Sequence, residues 1–178
     1  MSQAAASSAK EPPREEQKRA GKLVQYLTFT LGDEEYGVDI LRVQEIRSWE
    51  PVSRIPNAPP YEKGVINLRG AIVPIVDLRM RFLLGKAEYT PVTVVVVVRV
   101  QSAEKMRMVG IVVDTVSDVI LMDQDNIQSS PDFGSEVNTE FICGIGSVEG
   151  RMVMLLDIDK LLSFEHPDEA SDPASGAE

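Results

Sequence analysis

The stretch Val92-Thr93-Val94-Val95-Val96-Val97-Val98-Arg99-Val100 decides the fold class. Five consecutive valines leave no polar face, and branching at Cβ disfavours a helix while suiting the pleat of a strand. A strand that is apolar on both sides belongs between two packed layers, so this one is expected to be central. Downstream, the polar loop Gln101 to Lys105 reverses the chain, and Met106 to Asp114 returns antiparallel. Upstream, Leu27, Phe29 and Leu31 alternate with Thr28 and Thr30. Gly32-Asp33-Glu34-Glu35 then turns the chain, and Tyr36, Val38 and Ile40 alternate again, which reads as a β-hairpin. A second hairpin runs from Val65 to Leu68, turns at Arg69-Gly70 and continues from Ile72 to Val76, with Pro74 marking an edge position or a bulge. Helices are few. Leu78 to Leu84 and Asp157 to Phe164 are short, and Asp77 and Asp157 can cap their first turns.

Two blocks of the first half recur in the second. Gly37-Val38-Asp39-Ile40, Val43, Glu45 and Ile46 align without a gap with Gly110-Ile111-Val112-Val113, Val116, Asp118 and Val119. Gly64-Val65, Leu68, Gly70 and Ile72 to Leu78 align, at their own constant offset, with Gly144-Ile145, Val148, Gly150 and Met152 to Ile158. Each repeat holds about five short strands in roughly 60 to 70 residues, the scale on which antiparallel sheets close into small SH3-like barrels and remove their edges. The expectation is an all-β protein: two SH3-like five-stranded β-barrels packed together, with a few short helices and the valine-rich region as common core.

Composition narrows the function. The chain has 178 residues, 43% of them hydrophobic, and a formal charge of −10. It is long enough for one ordinary core or two small ones. Residues 1–21 mix Ala, Ser, Pro, Glu and Lys without an apolar period, and 166–178 are polar and acidic, so both are expected to be disordered. The segment 22–165 is the folded domain. Neither a signal sequence nor a membrane-spanning run is read, which points to a soluble cytoplasmic protein without direct membrane insertion. The acidic balance argues against nucleic acid, which is held mainly by clustered Lys and Arg. The charge is also uneven: Tyr36 to Gly85 carries seven Lys or Arg against five Asp or Glu, and Gln101 to Glu178 four against sixteen. Two faces of different sign would suit two protein partners.

No catalytic apparatus is legible. The single histidine, His166, lies beside Pro167 in the acidic tail, with no nucleophile arranged around it. The single cysteine, Cys143, excludes an intramolecular disulfide and paired-cysteine metal sites. Its apolar strand context suggests a buried structural thiol. Gly144, Gly146 and Gly150 lack phosphate-loop spacing. Asp123 and Asp125 lack the rest of a calcium loop, and Asp123 reads as a turn cap before Ile127. No enzyme activity, metal or cofactor is expected.

Three motifs, in one register, resemble the CheW family of bacterial chemotaxis coupling proteins. They are Phe29 to Ile40 (FTLGDEEYGVDI) with Val43-Gln44-Glu45-Ile46; Gly64 to Gly70 (GVINLRG) with Val73 to Leu78 (VPIVDL); and Gly110 to Asp114 (GIVVD) with Val116 to Val119 (VSDV). The resemblance spans about residues 22 to 163. It implies a pair of SH3-like barrels without enzymatic activity that bridges methyl-accepting chemotaxis proteins to the histidine kinase CheA in membrane-associated arrays, and it leaves self-association in array rings open. Neither a receiver domain nor a kinase core is read beside the domain, so the coupling role is the one expected. Two other functions compete: a kinase-sequestering regulator of the same fold, and a small-molecule carrier using the groove between barrels, for which no polar anchor is apparent.

By the same resemblance, the receptor-binding surface maps onto Ile40, Val43, Glu45, Gly64 and Arg69, with Val94 and Val119 contributing to the groove between barrels. Glu45 and Arg69 are the pair of greatest interest, either as contacts or as a salt bridge bracing the barrel. For Ile40, Val43 and Val94, core packing and partner contact are equally consistent with the alternation.

Overall fold

A computed structural model describes residues 22–84, 87–103, 105–129 and 140–163. The segments 1–21 and 166–178, expected to be disordered, lie outside the described residues. Among the described residues, ten strands form two five-stranded sheets. They are β1 (Leu23–Leu31), β2 (Glu34–Asp39), β3 (Val43–Ser48), β4 (Glu62–Leu68), β5 (Ala71–Asp77), β6 (Val94–Ser102), β7 (Lys105–Val113), β8 (Thr115–Asp123), β9 (Ile142–Val148) and β10 (Arg151–Leu156).

The two sheets have one topology. One runs β8-β1-β2-β10-β9, the other β3-β6-β7-β5-β4. Substituting each strand for its repeat equivalent, β1 for β6, β2 for β7 and so on, converts either order into the other. Each barrel shuts where the chain leaving one edge strand meets the other edge strand. Ser53 exchanges backbone hydrogen bonds with Val65, and Gln128 with Ile145.

The expected equation of one repeat with one barrel is corrected. Strands β3 to β7 make the inner barrel from continuous chain, whereas the outer barrel combines β1 and β2 with β8, β9 and β10. The repeat boundary is therefore two strands out of phase with the barrel boundary. Local periodicity identifies strands but carries no information on which distant strand each will join. Here the deciding pairings are parallel ones between distant segments, β2 with β10 and β5 with β7.

The valine run lies between two layers. Val96, Val98 and Val100 enter a cluster shared by both barrels, with Phe29, Leu31, Tyr36, Val38, Ile111, Val113 and Leu156. Val95 and Val97 point the other way, into the inner barrel with Leu68, Val73, Ile75 and Val112. Ile120, Met122, Val153 and Leu155 fill the outer barrel. The common core is the largest of the three, so the barrels are joined by the same burial that folds each of them.

Several local expectations shift. The valine strand starts at Val94 rather than Val92, and its pairing with β7 runs on into the expected polar loop, to Ser102 opposite Lys105. Pro74 does not sit on an edge strand, because β5 pairs with β4 and β7. The β7 ladder begins only at Ile75, so the missing N–H of Pro74 falls on the stretch of β5 bonded on one side. Ile40 leaves the sheet and opens a 3-10 turn, Ile40–Arg42. The helices are single turns, α1 (Leu78–Arg81) and α2 (Ile158–Leu161). Leu83, at φ 57, turns the chain away after the first. Their aspartates do cap them: Asp77 accepts from the Arg79 N–H at 3.0 Å and Asp157 from the Lys160 N–H at 3.1 Å. Asp123 likewise accepts from the Asp125 N–H at 3.0 Å.

Candidate functional site

Glu45 and Arg69 meet. Strand β3 is an edge strand of the inner barrel, and a bulge after Val43 places Glu45 opposite Val97. At the β4–β5 turn, Arg69 (φ 49) and Gly70 (φ 88) are both left-handed, as a two-residue hairpin turn matching the twist of its strands requires. The Asn67 side chain accepts from the Gly70 N–H at 2.9 Å and holds the turn. Arg69 Nη1 reaches Glu45 Oε2 at 3.0 Å, and Arg47 approaches the same carboxylate at 3.8 Å. The Arg69 side chain is 75% exposed and that of Glu45 21%. An anchored anion thus holds a guanidinium whose surface stays open to a partner carboxylate or carbonyl.

Ile40, Val43 and Val94 are half-buried against the common core. Val94 stands opposite Ser48 of β3 and Val113 of β7. Val119 is on the outer barrel, exposed on β8. Its repeat equivalent Ile46 is exposed on β3, so the two barrels show an apolar residue at matching places. Gly64 is buried. A Cβ there would stand 2.0 Å from the Ser53 carbonyl oxygen, so Gly64 shapes the barrel closure rather than presenting a surface.

The sequence reading missed the most buried ionic group. Asp77 ends β5, fully buried, and its carboxylate receives Arg79 Nε at 3.0 Å, Arg79 Nη2 at 2.8 Å and the Tyr89 hydroxyl at 2.8 Å. Arg79 Nη1 continues to Asp114 Oδ1 at 3.0 Å and to the Glu88 carbonyl. Asp114 Oδ2 accepts from the Gly32 N–H at 2.8 Å, in the β1–β2 turn of the other barrel. Tyr89 stacks on Trp49 and lies under the Arg79 guanidinium. Burial, and then the bond to Asp77, push the Tyr89 phenol above its ordinary range. This knot lines a cleft of about 360 Å³ between the barrels, with Thr90, Thr93 and Thr115 on its walls. Polar groups do occupy the groove, but Arg79 and Asp114 are bonded to each other. No local signal marks it, since an arginine in the first turn of a short helix is ordinarily solvated.

Cys143 is exposed, contrary to the buried thiol expected. Leu155 faces Gly144 and Leu156 faces Ile142, so Cys143 is the extra residue of a bulge, and its Sγ donates to the Leu155 carbonyl at 3.4 Å. Partial burial of its sulfur, and then Asp157, raise the thiol pKa. A maleimide should therefore label Cys143 to completion in the folded protein, but more slowly than it labels an unstructured cysteine peptide at pH 7. Labelling that needs denaturant, or that outruns the peptide, would contradict the bulge geometry or the raised thiol respectively.

The fold is that of a two-barrel SH3-like module. A family profile described as the CheW-like domain matches residues 25–166, and the chain belongs to that family. It is 49% identical over 150 residues to the chemotaxis protein CheW of Klebsiella aerogenes, covering 83% of this chain and 88% of the relative. It is 41% identical over 144 residues to CheW of Rhizobium meliloti, covering 81% and 90%. The crystal structure of the scaffolding protein TtCheW from Thermoanaerobacter tengcongensis superposes with a TM-score of 0.70 at 30% identity, covering 80% of this chain and 94% of that one.

Proposed function

We propose that this chain is a non-enzymatic chemotaxis adaptor that couples methyl-accepting chemotaxis proteins to the histidine kinase CheA in membrane-associated arrays, with Ile40, Val43, Glu45, Arg69 and Val94 on the receptor-binding face and Val119 as an exposed apolar contact on the outer barrel. Gly64 acts there through the backbone shape it permits. The observation that carries this reading is the Glu45–Arg69 pair, a mostly exposed guanidinium held on a rigid turn, within a chain of this family. Charged groups at such a rim set register and encounter, while apolar neighbours supply most of the affinity. No helix among the described residues is long and apolar enough to cross a membrane, so array location would come through the receptors. Self-association in rings is a further contact that this role allows.

The test is co-sedimentation of receptor membranes, CheA and this chain, omitting each in turn, with kinase activity read in parallel. An adaptor carries CheA into the pellet and raises its activity only when all three are present. A chain that lowers kinase activity without receptor is a sequestering regulator instead. Within that assay, Arg69→Ala is expected to change stability by less than about 1 kcal/mol, because the exposed partner of an ion pair contributes little. It should weaken receptor binding roughly tenfold, the order expected for losing one charge-assisted contact. Unchanged affinity of a folded Arg69→Ala protein would remove Arg69 from the receptor face.

A further inference from the structure

The repeat permits a comparison within one chain. Arg79 in α1 and Asp159 in α2 occupy the same repeat position and carry opposite charge. Each pairs with the segment by which the chain leaves its barrel: Arg79 with Asp114, between β7 and β8, and Asp159 with Arg42, between β2 and β3. The first pairing belongs to the buried knot. The second has both side chains about one-third exposed, 33% and 31%.

The exposed junction controls a short piece of chain. Arg42 grips Asp159 with two parallel bonds, Nη2 to Oδ2 at 2.7 Å and Nη1 to Oδ1 at 3.1 Å, and also reaches the Arg99 carbonyl at 3.3 Å. Asp159 Oδ1 accepts from the Gln101 N–H at 2.8 Å, which ties α2 to β6. Arg99 Nη2 donates to the Leu41 carbonyl at 2.8 Å, and Asp39 accepts from the Leu41 N–H at 2.9 Å. The turn Ile40–Arg42 itself is a single 3-10 turn closed by the Val43 N–H on the Ile40 carbonyl, with no fully buried residue. So short a turn has little stability of its own, and its orientation comes from the groups that hold it. It carries Ile40 and delivers Val43 into β3, two residues before Glu45.

We infer that Arg42 and Asp159 are positioning residues of the receptor-binding face: their bidentate pair, reaching from α2 of the outer barrel, fixes the turn that carries Ile40 and leads through Val43 into the part of β3 that holds Glu45. This rests on the receptor reading above. Breaking the pair loosens the turn while leaving both barrels shut, because the Arg79 knot and the common core still join them.

The experiment compares the full chain with Arg42→Gln, Asp159→Asn and the double variant, measuring amide hydrogen exchange at Leu41, Arg42 and Val43 and affinity for a receptor cytoplasmic fragment. Asp159→Asn keeps a side-chain oxygen for the Gln101 N–H. Each single variant should speed exchange at these three amides about tenfold and weaken binding by a similar factor, the order of losing charge-assisted bonds. The double variant should be no worse than either single, since both disable one device. Exchange in the strand core, at Val96 and Ile111, should stay slow. Unchanged exchange at the turn overturns the inference. So do faster exchange with unaltered receptor affinity, and effects that multiply in the double variant. If the unsubstituted chain itself fails to bind receptor, the receptor reading falls, and the exchange data still decide whether the pair fixes the turn.

Discussion

Arg79→Ala should cost the protein about 3–5 kcal/mol, the range for removing one partner of a buried ion pair, out of a typical total of about 5–15 kcal/mol. The reason is what remains behind. Asp77 is fully buried, and without the guanidinium its carboxylate would keep only the Tyr89 hydroxyl and the Arg79 backbone N–H. Asp114 would lose its bond from the other side, and the link from α1 through Asp114 to Gly32 would open. For a domain of this size the loss corresponds to a fall of about 10 °C or more in melting temperature. Denaturant unfolding followed by circular dichroism measures it. The combined variant Asp77→Asn, Arg79→Met removes both charges and keeps most of the volume, so it should be clearly more stable than Arg79→Ala alone. A loss below about 1 kcal/mol for Arg79→Ala would mean that solvent reaches the knot and screens it as on a surface.

Gly64→Ala should be comparably damaging for a different reason. At φ 145 an L side chain is strained, and the added Cβ would meet backbone, the Ser53 carbonyl, which has no rotamer by which to escape. Backbone strain of about 1–3 kcal/mol adds to overpacking of about 1–3 kcal/mol. The strand closure Ser53–Val65 is the feature expected to give way. The prediction is a strongly lowered unfolding midpoint, with early exchange of the Val65 amide. Gly70→Ala provides a contrast: nothing lies within 4 Å of a Cβ there, so only the φ strain operates and the loss should be smaller. Equal effects at the two positions would show that conformation, not the clash, dominates at Gly64. Any loss of receptor binding in Gly64→Ala then reports a deformed barrel rather than a missing contact.

What could be read in advance divides along physical lines. Strands, turns and caps are local, so Arg69-Gly70, the valine run and the aspartate caps were legible from neighbouring residues alone. The repeat gave the count of ten strands and two barrels. It could not give their interleaving, because a constant offset looks the same whether each repeat closes on itself or lends two strands to its twin. At the site, Glu45 and Arg69 form the salt bridge that stood as the alternative to a partner contact. Val119 stands on the other barrel, and Gly64 acts through its backbone. The Arg79 knot was illegible, since an arginine in the first turn of a short helix is ordinarily solvated. Its burial follows from Tyr89 and the chain around it folding over the guanidinium, a tertiary event without local signature. Cys143 was misread because strand context suggests burial while bulges are set by pairing register.

The interleaved path has a consequence for how the protein is made. Emerging from the ribosome, β3 to β7 can shut into the inner barrel as soon as Val113 is out, while β1 must wait for β8, with Leu23 facing Asp123 about a hundred positions later in synthesis. During that delay the first hairpin can bury Leu27, Phe29 and Val38 only against the inner barrel's Val96, Val98 and Ile111, with its other face open. Nascent chains should therefore resist protease first within 43–113, with β1 and β2 protected only once β8 to β10 have followed.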